Sequence, residues 1–350
     1  MPRPITSTEL DLALSCTQVD PTSFVNAAHY RRDTEVGSYR PEWTWVHQDT
    51  STDTVLARAV WWAPPSDDHP VALDCLWVHP SVQDPVQLAS QLLERGHTAL
   101  LEAGISKLPE YLLDVPTTWN DDPAARDAVA WRVEAATTAG LEEPVERLGL
   151  TWTSASPLPP RSTRLNFHAG GDAAFLDAFT AIAQGSLDQL TVRNLAQMGA
   201  QDQARDDLGF YASLPGRRDY WRLARNHGGD LVGMLIPSRS ATSASVSYLG
   251  VLPAQRGRGY VDDLLAEITH VHAADGAPEI TADTDAANTP MAAAFTRTGY
   301  HVTQRRLAMA PPLRWSQGRS RRRPGSRLPT GMSGLPGRGG ATCGGVGLSC

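Results

Sequence analysis

Two stretches of this chain share one pattern: AATTAGLEEPVERL at residues 135–148 and AFTRTGYHVTQRRL at residues 294–307 align position for position, with Gly140 under Gly299. In each, a helical run closes at the glycine and a strand-like run follows. The correspondence extends upstream. The second half reads as a strand DLVGMLIP, a polar turn, and a strand SASVSYLGVLP in which period two puts Ser245, Ser247, Leu249 and Val251 on one face. A glycine-rich loop and a helix carrying Val261, Leu264, Leu265, Ile268 and Val271 come next. The strand EITAD follows, then a helix that Asn288 or Thr289 can cap, with Pro290 in its first turn. The first half repeats this order through TVLARAVWW, ALDCLWVHP and a helix with Leu88, Leu92 and Leu93, and Pro80 matches Pro253. A chain built this way folds as two similar α/β domains, with the proline-rich SASPLPPRS at residues 154–162 as the junction. The expected division is 1–155 and 156–311, with 312–350 as a tail.

At 350 residues the chain is long enough for two cores. No run approaches the roughly 18 apolar residues of a membrane span, and Glu9 and Asp11 interrupt the short apolar stretch near the N-terminus. The cysteines, Cys16, Cys75, Cys343 and Cys350, are scattered without metal-ligand spacing or a disulfide framework, which fits a reducing cytoplasm. His270 and His272 stand two apart on a helix and face different sides, so no metal is expected. The net charge of −7 is unevenly spread, because residues 313–350 hold seven arginines and no acid, leaving 24 Lys+Arg against 38 Asp+Glu elsewhere. So acidic a body argues against nucleic acid and tolerates a cationic partner.

The loop in the second half reads Arg256-Gly257-Arg258-Gly259-Tyr260-Val261. A strand that enters a glycine loop and then a helix leaves backbone N–H groups aimed at one point, with the positive end of the helix dipole behind them; this suits a polyphosphate. Gly257 and Gly259 let the backbone approach closely, and Arg256 and Arg258 can add charged hydrogen bonds. With the strand ending Val251-Leu252-Pro253, the segment resembles the acetyl-CoA loop of the GNAT acetyltransferase superfamily, Arg/Gln-x-x-Gly-x-Gly/Ala. Val261 departs from the small residue usual at the last position. A second motif of that family, asparagine with Gly-Phe/Tyr eleven residues on, is met by Asn288, Gly299 and Tyr300.

The resemblance implies two tandem GNAT-like domains, each a mixed, mostly antiparallel central sheet flanked by helices. It further implies that the two central strands splay and that the pantetheine of acetyl-CoA pairs with the backbone of Leu249, Gly250 and Val251. The implied cofactor-binding set is these three with Arg256, Gly257, Arg258, Gly259, Tyr260, Val261 and Asn288. The first half carries SVQDPV at residues 81–86 instead of the loop, with Asp84 where a phosphate would be repelled. It is expected to be a degenerate copy that takes no acetyl-CoA.

Moving an acetyl group from a thioester to an amine requires the amine to lose a proton and the leaving thiolate to be stabilised. Groups that the family often uses are missing: the tyrosine seven residues after the asparagine is Phe295, and the glutamate six ahead of the strand's valine is Ser245. Asp283 is the candidate base, acting through a water, with an Asp turn before Asn288 as the alternative; Asp285 is the next carboxylate, and Ser247 can orient the water. Acceptor recognition is expected from residues 185–223, where Asp188, Asp202, Asp206 and Asp207 can meet a cation and Phe210, Tyr211, Tyr220 and Trp221 can wall a pocket. Solvated helix and core aromatics account for most of these equally well. The expected function is an acetyl-CoA-dependent N-acetyltransferase for a primary amine on a small molecule. The missing tyrosine and glutamate motivate the alternative, a non-enzymatic acyl-CoA-binding or scaffold protein. The Gly/Pro/Ser/Arg-rich tail is expected to be disordered, and its RSRRRPGSR run is the part suited to nucleic acid or anionic lipid.

Overall fold

The computed structural model describes residues 1–239 and 243–312 and the pair Leu348–Ser349. The tail expected to be disordered thus lies outside the described residues, apart from Pro312 and that pair. In chain order the elements are β1 (Arg3–Pro4), α1 (Leu10–Leu14), α2 (Ala27–Glu35), β2 (Thr44–Asp49), β3 (Thr54–Trp62), β4 (Ala72–Val78), α3 (Pro85–Glu102), β5 (Glu110–Val115), α4 (Pro123–Thr138) and β6 (Val145–Thr153). There follow β7 (Leu165–His168), α5 (Asp172–Ala183), α6 (Gln189–Met198), α7 (Ala200–Ser213), β8 (Arg222–Asn226), β9 (Leu231–Arg239), β10 (Ala244–Val251), α8 (Tyr260–Ala274), β11 (Glu279–Asp285), α9 (Thr289–Arg297), β12 (His301–Met309) and β13 (Leu348–Ser349).

Two compact units result, and each differs by one strand from the expected halves 1–155 and 156–311. The first unit is Met1–Glu146 with the segment that begins at Arg305; the second contains Arg147–Gln304. In the first, the strand order is β1-β2-β3-β4-β5-β12, antiparallel throughout except for β4 and β5. In the second it is β6-β11-β10-β9-β8-β7, antiparallel except for β10 and β11. The last strand of each sequence half therefore completes the sheet of the other unit: Arg305 to Met309 pair with Val115 to Tyr111, and Arg147 to Thr153 pair with Asp285 to Glu279.

The parallel pair is the irregularity of each sheet. β4 meets β5 only at Ala72↔Glu110 and Leu73↔Tyr111, and β10 meets β11 only at Ala244↔Ile280 and Ser245↔Thr281, after which the strands part. Beside each parting lies a β-bulge, with Asp74 the extra residue of β4 and Ser247 that of β10, positions that the Pro80–Pro253 match also equates. The bulge corrects one expectation. It reverses the side-chain alternation, so Val246, Leu249 and Val251 enter one core while Tyr248 enters the other, and Ser245 does not share the face of Leu249.

Each sheet is covered on both faces. In the first unit α3 and α4 bury Leu92, Leu93 and Val129 with Trp61 and Leu76, and on the opposite face Tyr30 of α2 packs with Val60, Cys75 and Trp77. In the second, α8 and α9 bury Leu264, Leu265, Ile268, Met291 and Phe295, and α5 and α7 bury Phe175, Phe179, Ile182 and Tyr211. The glycines first seen as equivalent end α4 and α9 alike: Gly140 donates to Thr137 and Leu141 to Ala136, as Gly299 does to Thr296 and Tyr300 to Phe295.

Candidate functional site

The glycine loop stands between the end of β10 and the start of α8. Gly257 and Gly259 have φ of 74° and 72°, a region that side chains disfavour, and Gly259 is the N-cap of α8 with no side chain capping the helix. The first-turn N–H groups of α8 thus carry the positive end of the helix dipole with no side chain accepting from them, and the two acids of that turn, Asp262 and Asp263, are paired with Arg297 and Arg164. Arg164, which the sequence did not single out, fixes the loop from behind. It donates to the carbonyls of Arg258 (2.9 Å) and Gly259 (3.1 Å), pairs with Asp263, and lies over the ring of Tyr260. A trans peptide points its N–H opposite to its C=O, so tying the carbonyls back directs the N–H groups of Gly259 and Tyr260 forward.

Arg256 does a different job from the one expected of its charge. Its guanidinium donates to the carbonyls of Val251, Ile182, Gln184 and Gly185, so it closes the C-terminal end of α5 and ties the α5–α6 connection to the glycine loop. Arg258 reaches Gln255 at 3.1 Å. Val261 is buried in the core under α8, and Tyr260 packs at its edge. Leu249, Gly250 and Val251 lie past the point where β10 leaves β11, with the side chains of Leu249 and Val251 buried; β13 pairs in parallel with Leu249 and Gly250.

The candidate catalytic groups are not brought together. Ser247 is buried and hydrogen bonds Ser238 on β9, the neighbour on the opposite side of β10 from β11. Asp283 is half-buried on β11 and stands opposite Gly149 of β6. Asn288 is fully buried at the N-cap of α9, where its carbonyl accepts from Met291 and Ala292 while its side chain makes no capping bond. Phe295 lies in the core with its ring 5.1 Å from that of Tyr300, and the carbonyl of Ser245 accepts from His272. His270 turns the other way, to the carbonyl of Pro159. Among the described residues no group of three or more His, Cys, Asp or Glu is placed to hold a metal ion, and no helix is long and apolar enough to cross a membrane.

Burial separates the acids that sequence alone left equivalent. Asp202 and Asp206 are exposed, Asp202 pairing with Arg205. Asp188 is only 2% exposed; it caps α6 by accepting from Thr191 N–H at 2.7 Å. Next to it, Asp285 accepts from Gln189 N–H at 2.7 Å and lies 3.7 Å from Arg147. Burial, then the charge of Asp285, pushes the Asp188 carboxyl up to about 6, and burial, then Asp188 and Asp206, pushes Asp207 up to about 7. Of the aromatic residues, Tyr211 and Trp221 are buried, Tyr211 stacking on Phe179 and Trp221 edge-on to Phe175, whereas Tyr220 bonds Arg217 and Asp275 at the surface and Phe210 is exposed.

The equivalent place in the first unit is filled by the chain itself. Asp84 caps α3, accepting from Gln87 N–H at 2.9 Å, where α8 has no capping side chain. Arg132, 3% exposed, donates to the carbonyl of Leu76 on β4 and pairs with Asp20 at 2.8 Å. Trp77 donates to the carbonyl of Thr17, and Ser23 N–H to the carbonyl of Asp114 on β5. The segment from Thr17 to Ser23 thereby engages both diverging strands.

The second unit is therefore a mixed α/β domain with a glycine loop at the open end of a splayed strand pair. Residues 191–300, within this unit, match the Acetyltransferase (GNAT) family. The fold is similar to that of a GCN5-related N-acetyltransferase from Sphaerobacter thermophilus, with a TM-score of 0.50 and 16% identity over 88% of this chain and 94% of that one. Also similar are a tandem GNAT protein from the clavulanic acid biosynthesis pathway (TM-score 0.43, 15% identity, 88% and 97% covered) and a GNAT acetyltransferase from Colwellia psychrerythraea (0.41, 14%, 89% and 100%). No curated protein matches the chain by sequence.

Proposed function

We propose that the second unit is an acetyl-CoA-dependent N-acetyltransferase whose acceptor is a primary amine on a small molecule. The observation that carries the reading is the uncapped N-terminus of α8 behind Gly257 and Gly259, at the end of a strand that has parted from β11. On this reading the N–H groups of residues 257–261 and the side chain of Arg258 receive the pyrophosphate, with Arg256 bracing the loop. The backbone of Leu249, Gly250 and Val251 receives the pantetheine, which directs the thioester toward the bulge at Ser247 and the turn at Asn288. Ser247 and Asp283 act as orienting groups on the two diverging strands.

In the first unit Asp84 and Arg132 hold the places that a pyrophosphate and a pantetheine would need, so we read it as a copy that takes no acetyl-CoA. A cytoplasmic location, from the sparse cysteines, belongs to the same proposal. Phe295 favours a second reading, a non-enzymatic acyl-CoA-binding protein, because its ring is committed to the core and supplies no hydroxyl for the leaving thiolate.

Calorimetry with acetyl-CoA and thiol detection across a panel of amines separate the two. One binding site per chain and turnover with an amine are expected. Binding without turnover across the panel favours the second reading, and absence of binding overturns both.

A further inference from the structure

The acceptor side of the second unit has a recognisable chemistry. α7 places Gln203, Asp207 and Tyr211 at i, i+4 and i+8, on one face. Gln203 is 2% exposed and its Oε1 has no hydrogen-bond partner, a buried acceptor without a donor. Tyr211 lies 5.4 Å, ring to ring, from Tyr248, the residue that follows the Ser247 bulge. Asp188 comes from the α5–α6 connection, which Arg256 ties to the end of β10 and Asp285 ties to the end of β11. Asp207 thus lies within electrostatic reach of Asp188, one turn along α7 from the orphaned Gln203 oxygen and one turn from Tyr211, which meets Tyr248 beside the bulge of β10.

The two carboxylates and the Gln203 oxygen are all hydrogen-bond acceptors. The charges acting on Asp207 are those of Asp188 and of Asp206 beside it, and the cation of the network, Arg147, stands against Asp285. We propose that Asp207 holds the ammonium group of the acceptor, with Gln203 Oε1 accepting a second hydrogen bond, and takes the proton that the nitrogen must lose; the substrate is thereby a cationic aliphatic amine. The proposal rests on the acetyltransferase reading of this unit. The ammonium nitrogen gives one proton to the Asp207 carboxylate, which later releases it to water. The neutral amine then adds its lone pair to the thioester carbonyl carbon, the C–S bond breaks as the intermediate collapses, and the thiolate takes the second proton from nitrogen. Asp188, fixed at the N-cap of α6, acts through Asp207 and is a positioning residue. Burial and the two neighbouring acids bring the proton affinity of Asp207 close to neutrality, where a group exchanges protons readily in both directions.

The test uses the full chain as wild type, Asp207→Asn, Asp207→Glu and Asp202→Asn, with acetyl-CoA and 1,5-diaminopentane as probe. Acetyl-CoA affinity is expected to be equal in all four. Asp207→Asn should lower kcat/KM for the diamine about 100-fold and remove its rise through pH 7, with partial activity in Asp207→Glu and none lost in Asp202→Asn. A second readout needs no turnover: a carboxyl ¹³C resonance absent from Asp207→Asn should titrate near neutral pH in the wild type and move when the diamine is added, with or without CoA. Wild-type transfer and pH profile in Asp207→Asn, or a resonance that the diamine does not move, overturns the proposal. Failure of the wild type to bind acetyl-CoA overturns the acetyltransferase reading instead, and the resonance still decides whether Asp207 holds an amine.

Discussion

Arg132 donates from Nε to the carbonyl of Leu76 at 3.1 Å, on the strand position that the Pro80–Pro253 match equates with Leu249 of β10. One copy of the fold thus covers with its own arginine the backbone position that, in the other, is proposed to receive the pantetheine. Arg132→Ala leaves the Asp20 carboxylate without its buried partner and should lower the stability of the first unit by about 3 kcal/mol. It should create no new acetyl-CoA site, because Asp84 still caps α3. Urea unfolding measures the first outcome and calorimetric stoichiometry the second; two sites per chain in the variant would show that Arg132 alone closes the copy.

In the second unit, Gly257→Asp with Gly259→Asp puts two carboxylates against the first turn of α8 and two side chains at φ above 70°. The strain costs about 1–2 kcal/mol per residue, which the buried core under α8 can bear. Acetyl-CoA affinity should fall by more than about 100-fold with circular dichroism unchanged. Unchanged affinity in the folded double variant removes the phosphate assignment of this loop.

What was legible in the sequence was local. The glycine pair at 140 and 299, the loop before α8 and the apolar spacing of that helix all depend on neighbours within a few residues, and all stand in the structure as read. What escaped depends on distant partners. The phase reversal at Ser247 arises from pairing with β9, and the crossing of β6 and β12 into the other unit's sheet has no local signal. Arg256 was assigned to a ligand by its place beside the glycines, whereas its nearest acceptors are carbonyls at the end of α5. Arg164 lies far from the loop in sequence. The four acids of residues 185–223 could be ranked only once tertiary packing had buried Asp188, half-buried Asp207 and left Asp202 and Asp206 in water.

Those buried acids set a pH dependence with a definite sign. The folded-state pKa values of Asp188 and Asp207 are raised, to about 6 and about 7 from 3.8, so the folded chain binds more protons than the unfolded chain between about pH 4 and 7. Stability therefore falls as pH rises through that window and levels off above it. The second unit should be a few kcal/mol more stable at pH 5 than at pH 8, and Asp207→Asn should raise stability at pH 8 more than at pH 5. Urea unfolding of both proteins at the two pH values checks this; an equal effect at both would mean that Asp207 is ionised normally.

Asp283 gives a contrasting case. It is half-buried on the diverging part of β11, and its proposed role is to orient the acceptor, not to take its proton. Asp283→Asn should lower kcat severalfold and leave the position of the pH limb unchanged. A limb displaced or abolished in this variant would transfer the base role from Asp207 to Asp283.

The tail bears on the same strand edge. Leu348 and Ser349 pair in parallel with Leu249 and Gly250, the positions proposed to receive the pantetheine, so β13 occupies that edge and does not build it. The glycine loop, α8 and the hydrophobic cores of both units lie before residue 313. Truncation after Pro312 should therefore leave the melting temperature nearly unchanged. Acetyl-CoA should bind at least as tightly as to the full chain, the gain being limited to roughly tenfold because a backbone hydrogen bond contributes only about 0.5–1.5 kcal/mol net. Calorimetry and a thermal scan on the two chains provide the comparison. Weaker binding after truncation would mean that residues 313–350 contribute contacts to the bound cofactor, and a melting temperature lowered by several degrees would mean that they pack on the second unit and complete its fold.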